Sequence, residues 1–162
     1  MIWTKRVFFA LTAIPVLQTL YYYPQLPEVV ASHWDGLGAP NGWSSRFGFF
    51  GVYLGIVILL AGVFIYLPGW GMKRGRRGLN LPNAEYWLAP ERIEQTRAMI
   101  QHQLTIMAVV HLALAIVVMQ LAIQANFEPG ASLDGSIFWI LIVYFIFLIV
   151  WLVRFMLRFR KP

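Results

Sequence analysis

Four long apolar runs constrain the fold of this chain more than any other feature of its sequence. They cover about residues 7–23, 47–67, 104–125 and 137–156. Each run is close to the ~20 residues that carry an α-helix across a bilayer, and four of them in 162 residues leave no room for a second, soluble domain. We therefore expect one all-α membrane domain, residues 1–162. Its architecture should be a four-transmembrane-helix bundle with an external loop at 24–46 and a cytoplasmic loop at 68–103.

The basic residues indicate how these helices are oriented. Of the 13 lysines and arginines, all but Arg46 fall before the first run, between the second and third, or at and after the end of the fourth. Cytoplasmic loops of membrane proteins carry an excess of Lys and Arg, so both termini and the middle loop are predicted to be cytoplasmic. This placement accounts for the net charge of +6, and no nucleic-acid partner is expected.

The first run follows Lys5 and Arg6, as the apolar part of a signal peptide would. It continues into Tyr21–Pro24 without a small-residue cleavage site. Aromatic residues at that depth are typical of the membrane interface, so the run is expected to be retained as a span. Pro15 should kink this helix, and Gln18 should face protein or water rather than lipid.

The second run carries glycines that fall on one face of a helix: Gly48, Gly51, Gly55 and Gly62. Small residues allow two membrane helices to approach closely, so this glycine stripe predicts helix packing. A packing seam within the chain is the simpler interpretation, and a homodimer contact is the alternative.

The loop after the second run begins with a compact basic cluster: Lys73, Arg74, Arg76 and Arg77. Clusters of this kind beside a membrane helix bind anionic headgroups, so contact with anionic lipid is expected. Further along the loop, Pro90 suits the first turn of a helix, and Glu91 and Glu94 complement its positive end. We expect that helix to run on into the third span.

The third and fourth runs differ in polarity. His111 lies near the middle of the third run, and an ionisable residue at that depth is a functional candidate by default. A neutral imidazole hydrogen-bonded to another span is expected, and a role in proton or ligand binding is the alternative. The fourth run is apolar on all sides, with six aromatic residues between Phe138 and Trp151, and is typical of a lipid-facing helix.

The external loop contains the least membrane-like stretch of the chain, SHWDGLGAPNGW, residues 32–43. Its Asp-Gly and Asn-Gly dipeptides are turn signals. The flanking residues predict a small β-hairpin in which Val29–Trp34 pairs with Trp43–Phe47. The side chains of His33 and Asp35 would share a face if both lay in a strand.

The hairpin also carries the candidate ligand-binding residues: His33, Asp35, Asn41 and Trp43. The alternative is that His33 and Asp35 hydrogen-bond to the backbone of their own loop. A metal site is weakly supported, because structural sites usually need four ligands and Glu28 would add only one oxygen. The chain has no cysteine, which excludes disulfides, thiolate sites and a cysteine nucleophile. No catalytic or metal-binding residue is assigned, and no cofactor is expected.

The same region carries a resemblance to a known family. The matching residues are Leu26, Pro27, His33, Trp34, Asp35, Gly38, Gly42, Trp43, Ser45 and Arg46. They resemble the LP…HW(N/D)…G…GW.S(K/R) signature of a bacterial membrane domain-of-unknown-function family, found in the N-terminal part of the SdpI immunity protein. Residues 79–92, LNLPNAEYWLAPER, resemble a segment that recurs in such proteins. The resemblance implies a bacterial cytoplasmic membrane location and a role in toxin immunity or signalling.

Three functions are compatible with these expectations. The first is a non-enzymatic membrane module whose external hairpin recognises something outside the cell, such as a peptide, in an SdpI-like way. The second is a structural or assembly subunit, partnered by another membrane protein or by a copy of itself. The third, with the least support, is a membrane-embedded metal-dependent enzyme that uses His33, Asp35 and Glu28.

Overall fold

The computed structural model describes residues 2–66, 68 and 81–160. These residues form a mostly helical molecule with one two-stranded antiparallel sheet, as predicted. The elements in chain order are α1 (Ile2–Leu11), α2 (Ala13–Tyr22), β1 (Val29–Trp34), β2 (Pro40–Ser45), α3 (Arg46–Ala61), a π-helical turn (Gly62–Tyr66), α4 (Ala84–Trp87), α5 (Ile93–Ala125), a 3₁₀ turn (Pro129–Ala131) and α6 (Ser136–Arg160).

Three helical segments are long and apolar enough to cross a membrane: Arg46–Tyr66, Ile93–Ala125 and Ser136–Arg160. The first predicted span is instead divided into α1 and α2, of ten residues each. The division lies at Thr12, whose backbone is still helical at φ −65° and ψ −15°. Pro15 has no N–H for the carbonyl four residues earlier, and its ring crowds the preceding turn. The helix is thus interrupted just before Pro15, the residue expected to kink it, and the structure identifies three candidate spans where the sequence predicts four.

The long helix α5 is the centre of the bundle. Its 33 residues give it a length of about 50 Å at 1.5 Å per residue, and it is unbroken, which confirms that a helix from the preceding loop runs on into the third apolar run. The helix begins at Ile93, however, so Glu94 lies in its first turn, whereas Pro90 and Glu91 precede it and are not part of that turn as predicted. Two core clusters pack along α5. The first contains Leu26, Val30, Phe49, Phe50, Tyr53, Met119, Ala122 and Ile123. The second contains Phe8, Val57, Leu60, Ile65, Ala108 and Leu112.

The last helix, α6, contributes little to this core. Only 6% of its most apolar window is buried within the protein, as expected for a lipid-facing helix. Its two ends are the exceptions: Ile137 in the first turn is 6% exposed, and Phe159 in the last turn is 1% exposed and packs against Ile100. The Asn83 Nδ2 atom donates to the carbonyls of Phe159 and Arg160 at 3.0 and 2.8 Å, and Trp87 Nε1 donates to Phe159 at 3.3 Å.

The bundle has two chemically different ends. The hairpin end consists of β1, β2 and the loop 126–135, which are hydrogen-bonded to each other. The basic end consists of α4, the start of α5 and the last turn of α6, where Arg158 and Arg160 are exposed. The predicted lipid-binding cluster of Lys73, Arg74, Arg76 and Arg77 lies outside the described residues.

The glycine stripe does not face the core. The buried residues of α3 are Phe49, Phe50, Tyr53, Val57 and Leu60. A Cβ atom added at Gly51, Gly55 or Gly62 would meet no other described residue within 4 Å, and one at Gly48 would meet only Ser45 Oγ, at 3.2 Å. Within the described chain the stripe therefore forms no packing seam, in contrast to the simpler interpretation, because α3 turns its bulky side chains toward α5. Packing against another chain stays a prediction.

Candidate functional site

The hairpin begins where the sequence predicts and ends earlier. β1 is Val29–Trp34 as expected, but β2 is Pro40–Ser45 rather than Trp43–Phe47. Val29 pairs with Ser45 and Trp34 with Pro40. The second strand stops at Ser45 because this residue caps α3, its Oγ accepting a hydrogen bond from the Gly48 N–H at 3.1 Å. An N-cap serine in extended conformation satisfies a free N–H of the first helical turn, so Arg46 and Phe47 belong to the helix.

The tip of the hairpin is held by Asp35. Its Oδ1 atom accepts hydrogen bonds from the backbone N–H groups of Leu37 and Ala39, at 2.8 and 2.9 Å. The turn also requires Gly38, which has φ +83°, and an added Cβ there would lie 2.7 Å from the Leu133 carbonyl oxygen. Asp35 thus makes the local backbone contacts that the alternative interpretation describes.

His33 and Asn41 form a pair across the hairpin. His33 Nδ1 is hydrogen-bonded to Asn41 Oδ1, and both residues are exposed. Trp43 is also exposed, at 57% of its surface. The sequence predicts that Asp35 shares a strand face with His33. Asp35 follows the last residue of β1, however, so strand alternation does not place it on that face. The structure brings together His33 and Asn41, whereas Asp35 is hydrogen-bonded to the backbone of the tip.

A single side chain, Asn126, fastens the hairpin to the end of α5. Its Oδ1 accepts from the Ala31 N–H at 2.8 Å, and its Nδ2 donates to the Ala31 carbonyl at 3.0 Å. Nδ2 also donates to the Ala122 carbonyl at 2.9 Å. The side-chain amide presents the same donor and acceptor as a backbone peptide, so Asn126 takes the place of a third strand beside Ala31.

Further hydrogen bonds join the hairpin to the loop before α6. Trp34 Nε1 donates to the Ala131 carbonyl at 2.7 Å. The Gly38 carbonyl accepts from the Leu133 N–H at 2.9 Å and from Ser132 Oγ at 3.3 Å. Strand β1 is therefore fixed at Ala31 in its middle and at its last residue, Trp34, and the hairpin is also fixed at its tip by Gly38.

The segment that contains this hairpin is the part of the chain that matches a protein-family model. Residues 10–57 match the family model of a domain of unknown function, DUF1648. No curated protein and no solved structure matches the chain. The DUF1648 segment includes all four candidate ligand-binding residues and the Ser45 cap, whereas Asn126 and the loop that fasten the hairpin lie outside it.

The basic residue of the DUF1648 segment, Arg46, makes its contacts with other residues of the protein. Arg46 donates from one terminal nitrogen to the Leu26 carbonyl at 2.6 Å, and its guanidinium lies 4.6 Å from the centre of the Tyr23 ring. Its backbone N–H donates to the Glu28 carbonyl at 2.8 Å. Arg46 thus ties the start of α3 to the segment that leads into β1, and a count of charges alone would miss this role.

The DUF1648 segment is joined to α5 by a polar network between helices. Gln18 Nε2 donates to Gln120 Oε1 at 2.9 Å, and Tyr53 donates its hydroxyl proton to Gln18 Oε1 at 2.5 Å. Gln120 Nε2 in turn donates to the Tyr22 hydroxyl at 3.1 Å. Gln18 faces protein, as expected. The network connects α2, α3 and α5 below the hairpin and fixes their relative positions.

His111 lies outside the DUF1648 segment and makes a different bond from the one expected. Its Nδ1 is 2.7 Å from the carbonyl oxygen of Met107, one turn earlier on the same helix. The Phe64 and Tyr144 rings flank the imidazole, with centroids at 4.9 and 5.6 Å. Among the described residues, the imidazole is therefore hydrogen-bonded within its own helix rather than to another span as predicted, and it contacts neighbouring helical elements through the Phe64 and Tyr144 rings.

The acidic groups at the hairpin end are placed singly. Asp134 accepts from the Ser136 N–H at 2.8 Å at the start of α6, and hydrogen bonds from Ser136 hold the pKa of its carboxyl below the ordinary value. Across the described residues, no three His, Asp or Glu side chains are grouped as metal ligands would be.

Proposed function

We propose that this protein is a non-enzymatic integral membrane protein whose hairpin recognises a ligand outside the cytoplasm. The division of the first apolar run does not prevent it from crossing the bilayer. Residues 2–22 of α1 and α2 span about 31 Å at 1.5 Å per residue, close to the ~30 Å hydrocarbon thickness. In this proposal α1 and α2 together form a fourth span.

The charge distribution supports an orientation with the hairpin outside. The described basic end carries Arg92, Arg97, Arg158 and Arg160, and Arg154 lies before it on α6, whereas the hairpin end carries only Arg46, which is turned into the protein. By the positive-inside rule, the basic end belongs in the cytoplasm, together with both termini. The proposed location is the bacterial cytoplasmic membrane, with the basic end in contact with anionic headgroups.

The observation that carries the recognition role is that the hairpin is fixed without using its exposed side chains. Asn126 holds the hairpin through the backbone of Ala31, and the loop before α6 is hydrogen-bonded to Trp34 and Gly38 of the hairpin. Trp43 and Leu37 are left 57% and 93% exposed. A surface that is already ordered pays little conformational entropy on binding, which suits a recognition site. An SdpI-like version of this role, with a peptide toxin as ligand, is the proposal in its most specific form.

A protection assay tests the proposal. A strain that lacks the gene should be more sensitive to secreted peptide toxins, and wild-type protein should restore resistance. The variants His33→Ala and Trp43→Ala should fold and insert normally but fail to protect. Phe47→Ala is the matched control, because Phe47 is 76% exposed on the first turn of α3, outside the strands.

Two further variants separate recognition from folding. Gly42→Val should disrupt the hairpin, since an added Cβ would lie 2.9 Å from His33 Cβ. Asp35→Ala should do the same because it removes both acceptor bonds at the tip. If the deletion strain is no more sensitive, and no added peptide cross-links to the hairpin, the immunity version is wrong.

An assembly subunit is the second candidate, and the open glycine stripe favours it. A Cβ atom added at Gly51 or Gly55 would meet no other described residue within 4 Å, and small residues are the usual contact of membrane helices that pack against a partner. Purification in mild detergent should then give a complex or a dimer. Gly55→Leu should dissociate it without lowering the thermal stability of the monomer. A wild-type protein that is a folded monomer under these conditions counts against this function.

A further inference from the structure

A groove lies between α3 and α5, directly beneath the hairpin. Its volume is about 480 Å³, within the ~300–1,000 Å³ of typical ligand pockets. Val52 and Ile56 on α3 and Val118 and Met119 on α5 line its apolar walls. The groove thus lies between two helices that are long and apolar enough to cross a membrane.

Small residues leave this space open. Gly48 on α3 and Ala115 and Ala122 on α5 contribute to the walls, so the two helices do not fill the gap with side chains. At one end the hairpin closes the groove with Ser32, Trp34 and Ser44. The groove is therefore largely apolar along the helices, where the hydroxyl of the lining residue Tyr53 is bonded to Gln18, and it carries two further hydroxyl groups, of Ser32 and Ser44, at its hairpin end.

The dimensions of the groove indicate what can enter it. Gly48 and Ile56 are eight residues apart on α3, which corresponds to about 12 Å at 1.5 Å per residue. A flexible hydrocarbon chain can lie along this length, and the hydroxyl groups at one end match the polar part of an amphiphile.

We propose that the groove binds an acyl chain of a membrane phospholipid from the leaflet on the hairpin side. The chain lies against Val52, Ile56, Val118 and Met119, and the polar part of the lipid reaches the hydroxyl groups of Ser32 and Ser44. This site is independent of ligand recognition by the exposed face of the hairpin. The lipid adds a further contact to the hairpin, because it occupies the space beneath Trp34.

Neighbouring valines on α5 provide a matched pair of variants. Val118 lines the groove, whereas Val117 does not and is 42% exposed. The protein is reconstituted in vesicles of phosphatidylethanolamine and phosphatidylglycerol, extracted in mild detergent, and analysed by native mass spectrometry for retained phospholipid. Wild-type protein and Val117→Trp should each retain one phospholipid. Val118→Trp should retain about tenfold less, because a bulky side chain fills the site.

A second pair on α3 keeps the test decisive if Val118→Trp does not fold. Val52 lines the groove and is 66% exposed, whereas Ile58 lies elsewhere on α3 and is 74% exposed. Tryptophan at either position is accommodated at the surface, and only Val52→Trp should reduce lipid retention. Folding of each variant is checked by its melting temperature in detergent.

Cross-linking locates the lipid. A phosphatidylethanolamine with a diazirine on its acyl chain should label residues 52–56 and 115–122 more strongly than the exposed residues of α6. The proposal is overturned if retention is equal in the groove and control variants, or if labelling of α6 equals that of the groove. Cross-links from the groove to a second copy of the chain, in place of lipid, would also overturn it.

Discussion

The hairpin and α6 differ both in composition and in how they are attached to the rest of the protein. The hairpin consists of two strands of six residues, is rich in small and polar residues, and is joined to the rest of the protein at three places. Helix α6 has 25 residues, is almost wholly apolar, and has only 6% of its most apolar window buried. Apolar content therefore does not predict which element is held most firmly by this protein.

The physical reason is that the sequence implies a lipid environment around these helices. Lipid is as apolar as the side chains of α6, so no hydrophobic effect drives such a helix onto its neighbours. Hydrogen bonds between elements then decide their relative positions. Even α6 follows this rule, since Trp151 Nε1 donates to Gln103 Oε1 at 3.0 Å and Asn83 binds the last carbonyls of the helix.

The largest effect is expected at Asn126, which fastens the hairpin. Asn126→Ala removes three hydrogen bonds and leaves the N–H and carbonyl of Ala31 unpaired, in a residue that is 0% exposed. Unpaired buried polar groups cost about 1–3 kcal/mol each, so the free energy of unfolding should fall by about 3 kcal/mol. Denaturant unfolding in detergent measures this loss, and hydrogen exchange at the Ala31 amide should accelerate.

Gln124→Ala serves as the control for that experiment. Gln124 is an exposed residue half a turn away on the same helix, and its replacement should change neither measurement. If Asn126→Ala leaves the Ala31 amide protected, the hairpin is held mainly by other contacts, and the contrast with α6 loses its basis.

A smaller effect is expected in the polar network below the hairpin. Tyr53→Phe removes the hydroxyl that donates to Gln18 Oε1 and preserves the ring, which is 3% exposed. Hydrogen bonds between membrane helices contribute about 0.6 kcal/mol on average and up to about 1.7, so a loss of about 1 kcal/mol is expected. Tyr66→Phe, at a tyrosine that is 63% exposed, should leave the unfolding midpoint unchanged. Equal effects of the two substitutions would show that the network does not fix the helices.

Much of the fold could be predicted from the sequence because apolar length and turn dipeptides are local signals. The second, third and fourth apolar runs, the unbroken α5 and the bounds of β1 all follow from such signals. The end of β2 was misplaced because the Ser45 cap competes with strand pairing for the same residues. No motif singles out Asn126, whose importance depends on the approach of Ala31, 95 residues away in sequence. An asparagine directly after a long apolar run was the only available signal.

The candidate site was harder to predict than the fold for a similar reason. Side-chain alternation in a strand placed His33 and Asp35 on one face, but the strand ends before Asp35 and the carboxylate turns to the backbone of the tip. The glycine stripe shows the same limit, since helical periodicity identifies a face without indicating what that face meets. Whether the hairpin binds a ligand stays a prediction.

Asn83 tests the polar attachment at the other end of α6. Its backbone has φ +52°, so Asn83→Gly removes the side chain without straining the backbone. Loss of the two bonds to Phe159 and Arg160 should destabilise the last turn of α6 by about 1 kcal/mol. Hydrogen exchange should rise locally there and stay unchanged at Ala31. Glu85→Ala, at an exposed residue of α4, is the control, and a change at Ala31 would show that the two ends are coupled.

The smallest effect is expected at Asp134, where α6 begins at the hairpin end. Hydrogen bonds from Ser136 lower the pKa of its carboxyl from the ordinary value of 3.8. A carboxyl whose pKa is lower in the folded state stabilises that state above its unfolded pKa, and this contribution is lost as the pH falls through the folded pKa. The Ser136 amide resonance, followed by NMR from pH 6 downward, should therefore shift with a midpoint below 3.8. Asp134→Asn keeps an acceptor for the Ser136 N–H but cannot titrate, so its Ser136 resonance should not shift over this range. A shift that persists in Asp134→Asn would assign the titration to another group. An unshifted resonance in the wild type would mean that this carboxyl does not hold the first turn of α6, leaving the helix still less firmly attached at the hairpin end.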